Sequence, residues 1–211
     1  MIKNQGTLTI TGNGKISFKD TGAGDSTFRW GSYTIRNNGG NLIIENGTIE
    51  HLGEQTSGTH MICAIDQYSG STTIKDGIIS TPNYRSVRLW HGEMKIEGGT
   101  FDGQLWVQTQ TGASATLTIE GGTFAPNGND GSSVFIQNDK NTVNLSITEG
   151  TFNTKIGATN TSLEGVKGSI TGGTFTAAAK DNTKAELLAA GYVFVDNGNE
   201  TYSVQQNGGT E

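Results

Sequence analysis

The chain has 211 residues, enough for one domain, but only 32% are hydrophobic and 32 are glycine, which excludes a thick conventional core. The formal net charge is -6, with 14 Lys and Arg residues spread along the chain, so a phosphate-binding surface for nucleic acid is not expected. Ordered apolar repeats run throughout and argue against disorder.

At the N-terminus, Met-Ile-Lys leads straight into strand-like Thr7-Leu8-Thr9-Ile10, with no charged-then-apolar leader and no run long enough to span a bilayer. This reads as an intracellularly made phage component or a piece of a longer protein, and the piece is favoured; no membrane partner is expected. The single cysteine, Cys63, rules out an intrachain disulfide framework and a Cys-based zinc site.

Seven segments then align: Leu8-Thr9-Ile10, Leu42-Ile43-Ile44, Thr72-Thr73-Ile74, Met94-Lys95-Ile96, Leu117-Thr118-Ile119, Leu145-Ser146-Ile147 and Gly168-Ser169-Ile170. Each precedes a glycine-bearing turn. The last four end in Gly-Gly-Thr-Phe or Glu-Gly-Thr-Phe at Phe101, Phe124, Phe152 and Phe175, and Ile16, Ile49 and Ile79 take that place earlier. The anchor isoleucines lie 34, 30, 22, 23, 28 and 23 residues apart, which predicts rungs of about 22 residues with insertions. A rung loses roughly 1 to 2 kcal/mol of backbone entropy per residue, and about five buried side chains return only about 1.5 to 3 kcal/mol each. One rung cannot fold alone, so the pattern predicts an all-β parallel solenoid of about seven rungs stacked at about 4.8 Å.

A second column follows. With Ile35, Ile65, Leu89, Val107, Ile136 and Ile156 inward, alternation sends Thr34, Ala64, Arg88, Trp106, Phe135 and Lys155 outward on one side. On the other side it sends out Arg36, Asp66, Trp90, Gln108, Gln137 and Gly157. At the far end, Asp181-Asn182-Thr183 before Lys184–Gly191 reads as a capped short helix. Tyr192–Val195 and Thr201–Val204 around Asp196-Asn197-Gly198-Asn199 read as a hairpin. The expected division is a β-helix over 1–180, a helix-hairpin cap over 181–204 and a tail or linker over 205–211.

The Ile-Glu-Gly-Gly-Thr-Phe run at 96–101 and again at 119–124, with the closing Ala-Ala-Gly-Tyr-Val-Phe-Val-Asp-Asn-Gly-Asn-Glu-Thr-Tyr-Ser-Val, resembles the Gly-Gly-Thr-Phe repeat proteins of gut Firmicutes and their phages. The resemblance covers nearly the whole chain. It implies a right-handed parallel β-helix within an extracellular, cell-surface or virion protein, with adhesion or glycan binding as its role. The fold alone does not select a function, since β-helices carry lyases, hydrolases, adhesins and tail spikes.

The most function-like feature is an aromatic stripe. Trp90 and Trp106 are expected on adjacent rungs with Phe135 next, beside Arg88, Gln108, Gln137 and Asp66, with Tyr68 and the insert Thr81-Pro82-Asn83-Tyr84-Arg85 as a wall. Aromatic faces with planar polar neighbours suit stacking on sugar rings and hydrogen bonding to hydroxyls. The competing expectation is packing beneath loops or against another domain or subunit.

Glu97 and Glu120 share an outward position on consecutive rungs, so their carboxylates are expected within about 5 to 7 Å, a spacing compatible with glycosidic cleavage. The plainer expectation is a solvated ladder of Glu45, Lys75, Glu97, Glu120, Thr148 and Thr171. The polysaccharide hydrolases on this fold resemble one another in clustered aspartates with a His-Gly loop, and the lyases in a calcium-binding Asp group with a basic residue. His91-Gly92 stands here without the rest. His51, His60 and His91 lack metal-site spacing and read as loop residues, so no metal and no cofactor are expected. Asp20–Asp25 and Asn127–Asp130 read as turns rather than Ca²⁺ loops. The leading expectation is a non-catalytic glycan- or host-surface-binding module of a bacterial surface protein or phage particle. The alternatives are a polysaccharide lyase or glycoside hydrolase, and a structural spacer or virion decoration protein.

Overall fold

A computed structural model describes residues 1–19, 31–53, 62–81, 84–109, 112–127, 131–138, 141–158 and 163–208. The strands are β1 (Ile2–Asn4), β2 (Thr7–Ile10), β3 (Lys15–Phe18), β4 (Ser32–Ile44), β5 (Thr48–His51), β6 (Ile62–Ile74), β7 (Ile78–Ser80), β8 (Arg85–Leu89), β9 (Gly92–Ile96) and β10 (Thr100–Phe101). They continue as β11 (Gln104–Thr109), β12 (Ser114–Phe124), β13 (Ser132–Asn138), β14 (Thr142–Phe152), β15 (Lys155–Ala158), β16 (Val166–Ile170) and β17 (Thr174–Thr176). The helix α1 (Ala177–Asn182) and the hairpin strands β18 (Tyr192–Asp196) and β19 (Thr201–Gln206) close the chain. Among the described residues no helix is long and apolar enough to cross a membrane.

β1 through β17 pair only in parallel with one another, each with the strand one repeat away, so the sheet curls into an all-β, solenoid-like fold. One ladder stacks Ile10, Ile44, Ile74, Ile96, Ile119, Ile147 and Ile170 in register, joining the Leu-x-Ile segments. A second stacks Ile16, Ile49, Ile79, Phe101, Phe124, Phe152 and Phe175. The four Phe rings lie face to face with centroids 4.8, 5.0 and 4.9 Å apart, the strand spacing of a parallel sheet.

Glycine is required where neighbouring turns nest. A Cβ on Gly70, held at φ 87°, would overlap the Gly40 carbonyl of the layer before it. An internal polar ladder lies at the adjoining corner: the Asn4 amide donates to Asn37 Oδ1 at 2.9 Å, and the Asn37 amide donates to Gln67 Oε1 at 3.0 Å. Pairing of this kind offsets the desolvation of buried amides, and at Gln67 only the side-chain oxygen is paired while Nε2 has no hydrogen-bond partner.

The third ladder corrects the expected inward row. Ile65 pairs with Val87, not Leu89, and Ile156 pairs with Val134, not Ile136; Leu89 stands between Gln67 and Val107. The offset is two residues, so the same face still turns inward, because side chains alternate with period two. Register shifts at Gln104/Leu105 and Ser132/Val134 absorb the uneven repeat lengths.

The C-terminal end is closed differently from the expectation. The helix lies at Ala177–Asn182 rather than 184–191, because the Thr176 hydroxyl caps it by accepting the Ala179 N–H at 3.2 Å and three alanines follow. Residues 185–187 form only a 3-10 turn. Thr183 ends α1, donating to the Ala179 carbonyl at 2.7 Å and accepting the edge N–H of Ile156 at 3.0 Å. The Ala189 N–H takes the edge carbonyl of Ile170 at 3.0 Å, and β19 pairs antiparallel with β17. Each ladder thus meets a covering element, which satisfies backbone groups that an open edge leaves unpaired. Gln205 and Gln206 belong to β19 rather than to a tail.

Candidate functional site

The two-residue offset decides what stands on the outer side of the third ladder. Arg36, Asp66, Arg88, Trp106, Phe135 and Gly157 form one row, placing Asp66 between two arginines on neighbouring strands. Arg88 Nε donates to Asp66 Oδ1 at 2.8 Å, and Arg36 Nε lies 3.4 Å from Oδ2. Burial alone lowers the affinity of Arg88 for its proton, but the charge and hydrogen bond of Asp66 outweigh it and the net pKa shift is upward.

Rings and guanidiniums alternate around this carboxylate. The Arg36 guanidinium stands 4.3 Å from the Tyr68 ring centre and donates to the Tyr33 hydroxyl at 2.7 Å. Arg88 covers Trp90 at 4.7 Å and Arg85 covers Trp106 at 3.8 Å, distances of direct cation–π contact. Trp106 packs near Phe135 with centroids 6.4 Å apart, while Trp90 meets Tyr68 at 5.7 Å. The two tryptophans therefore belong to different contacts.

The outward expectation needs correction for the inner part of this row. Arg88 is 1% exposed, Trp106 3% and Phe135 8%, and Asp66, Thr34 and Ala64 are also buried. A ladder that alternates in sequence need not have one wet face, because anything folded over its outer side buries both. The accessible part is a rim. Tyr68 is 36% exposed, Trp90, Tyr84 and Gln108 are partly exposed, and Gln137 is exposed. Partly exposed His91, beyond β8, joins it with its ring 5.3 Å from Tyr68. Arg36 and His91 stand outside the aromatic stripe expected from the sequence. The usable signal was the density of rings and cations around Tyr68 and Trp90.

Among the polar groups of this region, the Trp106 and Trp90 indole N–H groups and the Gln108 side-chain carbonyl are buried atoms without a hydrogen-bond partner. Cys63 lies on the same strand as Asp66 and is also buried; burial, and secondarily Asp66, push its thiol from 9.0 to about 12. The folded pKa is raised, so the contribution to stability is present below about pH 9 and is lost as pH climbs toward 12. The native thiol is expected to resist a disulfide reagent at pH 8 and to react once urea unfolds the chain. Equal labelling rates in both states would contradict its burial.

The carboxylate pair falls elsewhere. Lys95 Nζ lies 3.1 Å from Glu97 Oε1 and 2.9 Å from Glu120 Oε2, so one ammonium ties the two together on the surface. The hydrogen bonds that Lys95 donates to Glu120 and then Glu97 raise its pKa. Lys75 pairs with Glu45 at 3.0 Å in the same manner, the arrangement of a solvated charge ladder. His51 is not a loop residue: it ends β5, is buried, accepts the Gly53 N–H at Nδ1 at 3.0 Å and meets Ser32 Oγ through Nε2 at 2.8 Å. His60, Pro82 and Asn83, the segment Asp20–Asp25 and residues 128–130 lie outside the described residues. Among the described residues no group of three or more His, Cys, Asp or Glu is placed to hold a metal.

A groove missed in the residue pattern runs along the Gly-Thr turns. It is a shallow, open groove of about 610 Å³ lined by Thr100, Thr123, Thr151 and Thr174 with Asp76 and Glu149. The threonine before each Phe was its signal in the repeat.

Fold and site together define an all-β, solenoid-like protein carrying an arginine–aromatic cluster on one ladder. Comparison with known proteins matches the chain to no family model, no curated protein and no solved structure.

Proposed function

We propose that the chain is a right-handed parallel β-helix of about seven rungs, akin to the Gly-Gly-Thr-Phe repeat proteins. We infer that it serves outside the cell as a non-catalytic recognition module of a bacterial surface protein or phage particle. Its partner is a glycan or a host-surface receptor. Right-handedness is supported by the strong chiral preference of parallel strand crossovers, and the rung count by the seven Leu-x-Ile positions from Leu8 to Gly168.

The observation that carries the recognition reading is the rim at Tyr68. An exposed phenol ring lies beside Trp90 and His91, with the Arg36 cation against its face. A sugar ring stacks on such a surface while planar donors take its hydroxyls. The test is a glycan array with the whole chain, followed by titration of each hit. The double variant Tyr68→Ala with Trp90→Ala is expected to weaken binding roughly tenfold or more, with its circular dichroism unchanged. Binding that survives this variant would remove the rim from the site.

The burial of Arg88, Trp106 and Phe135 favours a second reading for the inner cluster, that of structural packing in a spacer or virion decoration protein. Trp106→Ala then lowers stability without changing the affinity of the rim.

A further inference from the structure

We propose that the rim at Tyr68 selects oxyanion-bearing sugars, that is, glycans carrying a carboxylate or sulfate, with Arg36 as the residue that reads the anion. The inference rests on the recognition reading above and names its ligand class.

The argument begins with the distribution of arginine. Arg36, Arg85 and Arg88 are the described arginines of the chain, and all three stand on the third ladder of a protein whose formal net charge is -6. Asp66 already receives the short contact of Arg88 at 2.8 Å, and Arg36 reaches the same carboxylate only at 3.4 Å. Two guanidiniums thus share one carboxylate. Arg36 is the one near water, with a fifth of its side chain exposed, whereas Arg88 is enclosed.

Position and orientation then make Arg36 a reader rather than a loose surface charge. Its Nε lies 3.4 Å from Asp66 Oδ2, an ion-pair contact without a hydrogen bond, its Nη1 donates to the Tyr33 hydroxyl, and its guanidinium carbon stands 4.3 Å from the Tyr68 ring centre. A guanidinium carries five N–H donors in a rigid fork, so a group held on one side still offers donors on another. A carboxylate or sulfate matches that fork with parallel hydrogen bonds, which a hydroxymethyl group cannot do. Tyr68 and Trp90, with centroids 5.7 Å apart, supply the apolar surface for the pyranose ring bearing the anion. The partly exposed His91 ring beside Tyr68 extends that surface.

The experiment uses the whole chain and matched probes: uronic-acid oligosaccharides, the same oligosaccharides after carboxyl reduction, and sulfated forms. Calorimetric titration is expected to show uronate or sulfated forms binding roughly ten- to a hundredfold tighter than the reduced ones. Raising the salt concentration should erode that margin. Arg36→Gln should abolish the preference, and Arg36→Lys should restore it partly, since lysine keeps the charge but not the fork. Tyr68→Ala should weaken acidic and neutral sugars alike, a readout that does not depend on the fold tolerating a change at Arg36. Tight binding of sulfated forms in place of uronates supports the oxyanion and identifies sulfate as its source. Equal affinity for acidic and reduced sugars, or a preference that persists in a folded Arg36→Gln chain, overturns the selection while leaving recognition standing. Binding to none of the sugars, acidic or neutral, overturns the reading of the rim as a glycan site, and this inference with it.

Discussion

Asp66→Ala is expected to destabilise the fold by about 3–5 kcal/mol, the range for removing one partner of a buried ion pair. Both members are enclosed, with Arg88 1% exposed and Asp66 fully buried, and the Nε–Oδ1 contact is 2.8 Å. Without the carboxylate, the Arg88 charge stays in a poorly polarisable environment and the Arg36 contact is lost as well. The penalty arises from desolvation left uncompensated more than from any large net attraction in the pair. The double variant Asp66→Leu with Arg88→Met is therefore expected to recover most of the loss, because it removes charge and counter-charge together. Urea denaturation of the three proteins measures this. A loss below about 1 kcal/mol for Asp66→Ala would mean that other groups carry the Arg88 charge.

Phe124→Ala is expected to cost about 3–5 kcal/mol, the sum of lost burial and an unfilled cavity. Phe124 is fully buried and stacked on both sides, 4.8 Å from Phe101 and 5.0 Å from Phe152. An end member of the stack has one such neighbour in the row, so the middle position should be the more sensitive. Phe124→Ile places at that level the residue type that Ile49 and Ile79 already supply in the same ladder, and a smaller loss is expected. In a stacked architecture each layer is held by its neighbours, so the damage should spread along the rod as reduced cooperativity. Thermal unfolding followed by circular dichroism reads both effects. An alanine variant as stable as the parent would show that neighbouring layers close the gap.

The two ladders bearing Leu-x-Ile and Gly-Thr-Phe were legible residue by residue. Ile119 pairs with Ile96 and Ile147, and Phe124 with Phe101 and Phe152, as the repeat demands. These positions are inward, tightly packed and flanked by turns that admit only certain residues, so composition records their geometry. The third ladder was harder. Its strands follow insertions of unequal length, and a displacement of two residues leaves the inward face apolar either way, as Val87 and Leu89 both show. Hydrophobic alternation cannot distinguish those registers. The helix start is ambiguous in the residues for a related reason: Asp181-Asn182-Thr183 carries capping side chains, but Thr176 offers the same chemistry one turn earlier, before Ala177-Ala178-Ala179, and there its hydroxyl also donates to the Asn153 carbonyl at 2.8 Å.

The candidate site was legible as a set of residue types and not as an arrangement. Arg88, Trp90, Trp106, Asp66 and Tyr68 stand out because aromatic residues make up only 8% of the chain and these rings fall close to charged residues. Their partition into an enclosed Asp66–Arg88 pair, a buried Trp106 and an open rim at Tyr68 depends on strand register and on what lies over the outer face. A parallel stack is legible from the residues alone, because periodic burial and glycine turns are local properties that each repeat states again. Which charges meet and which rings stay wet emerges with the folded chain, because both follow from the alignment of distant segments and from burial, and neither is encoded at any single position.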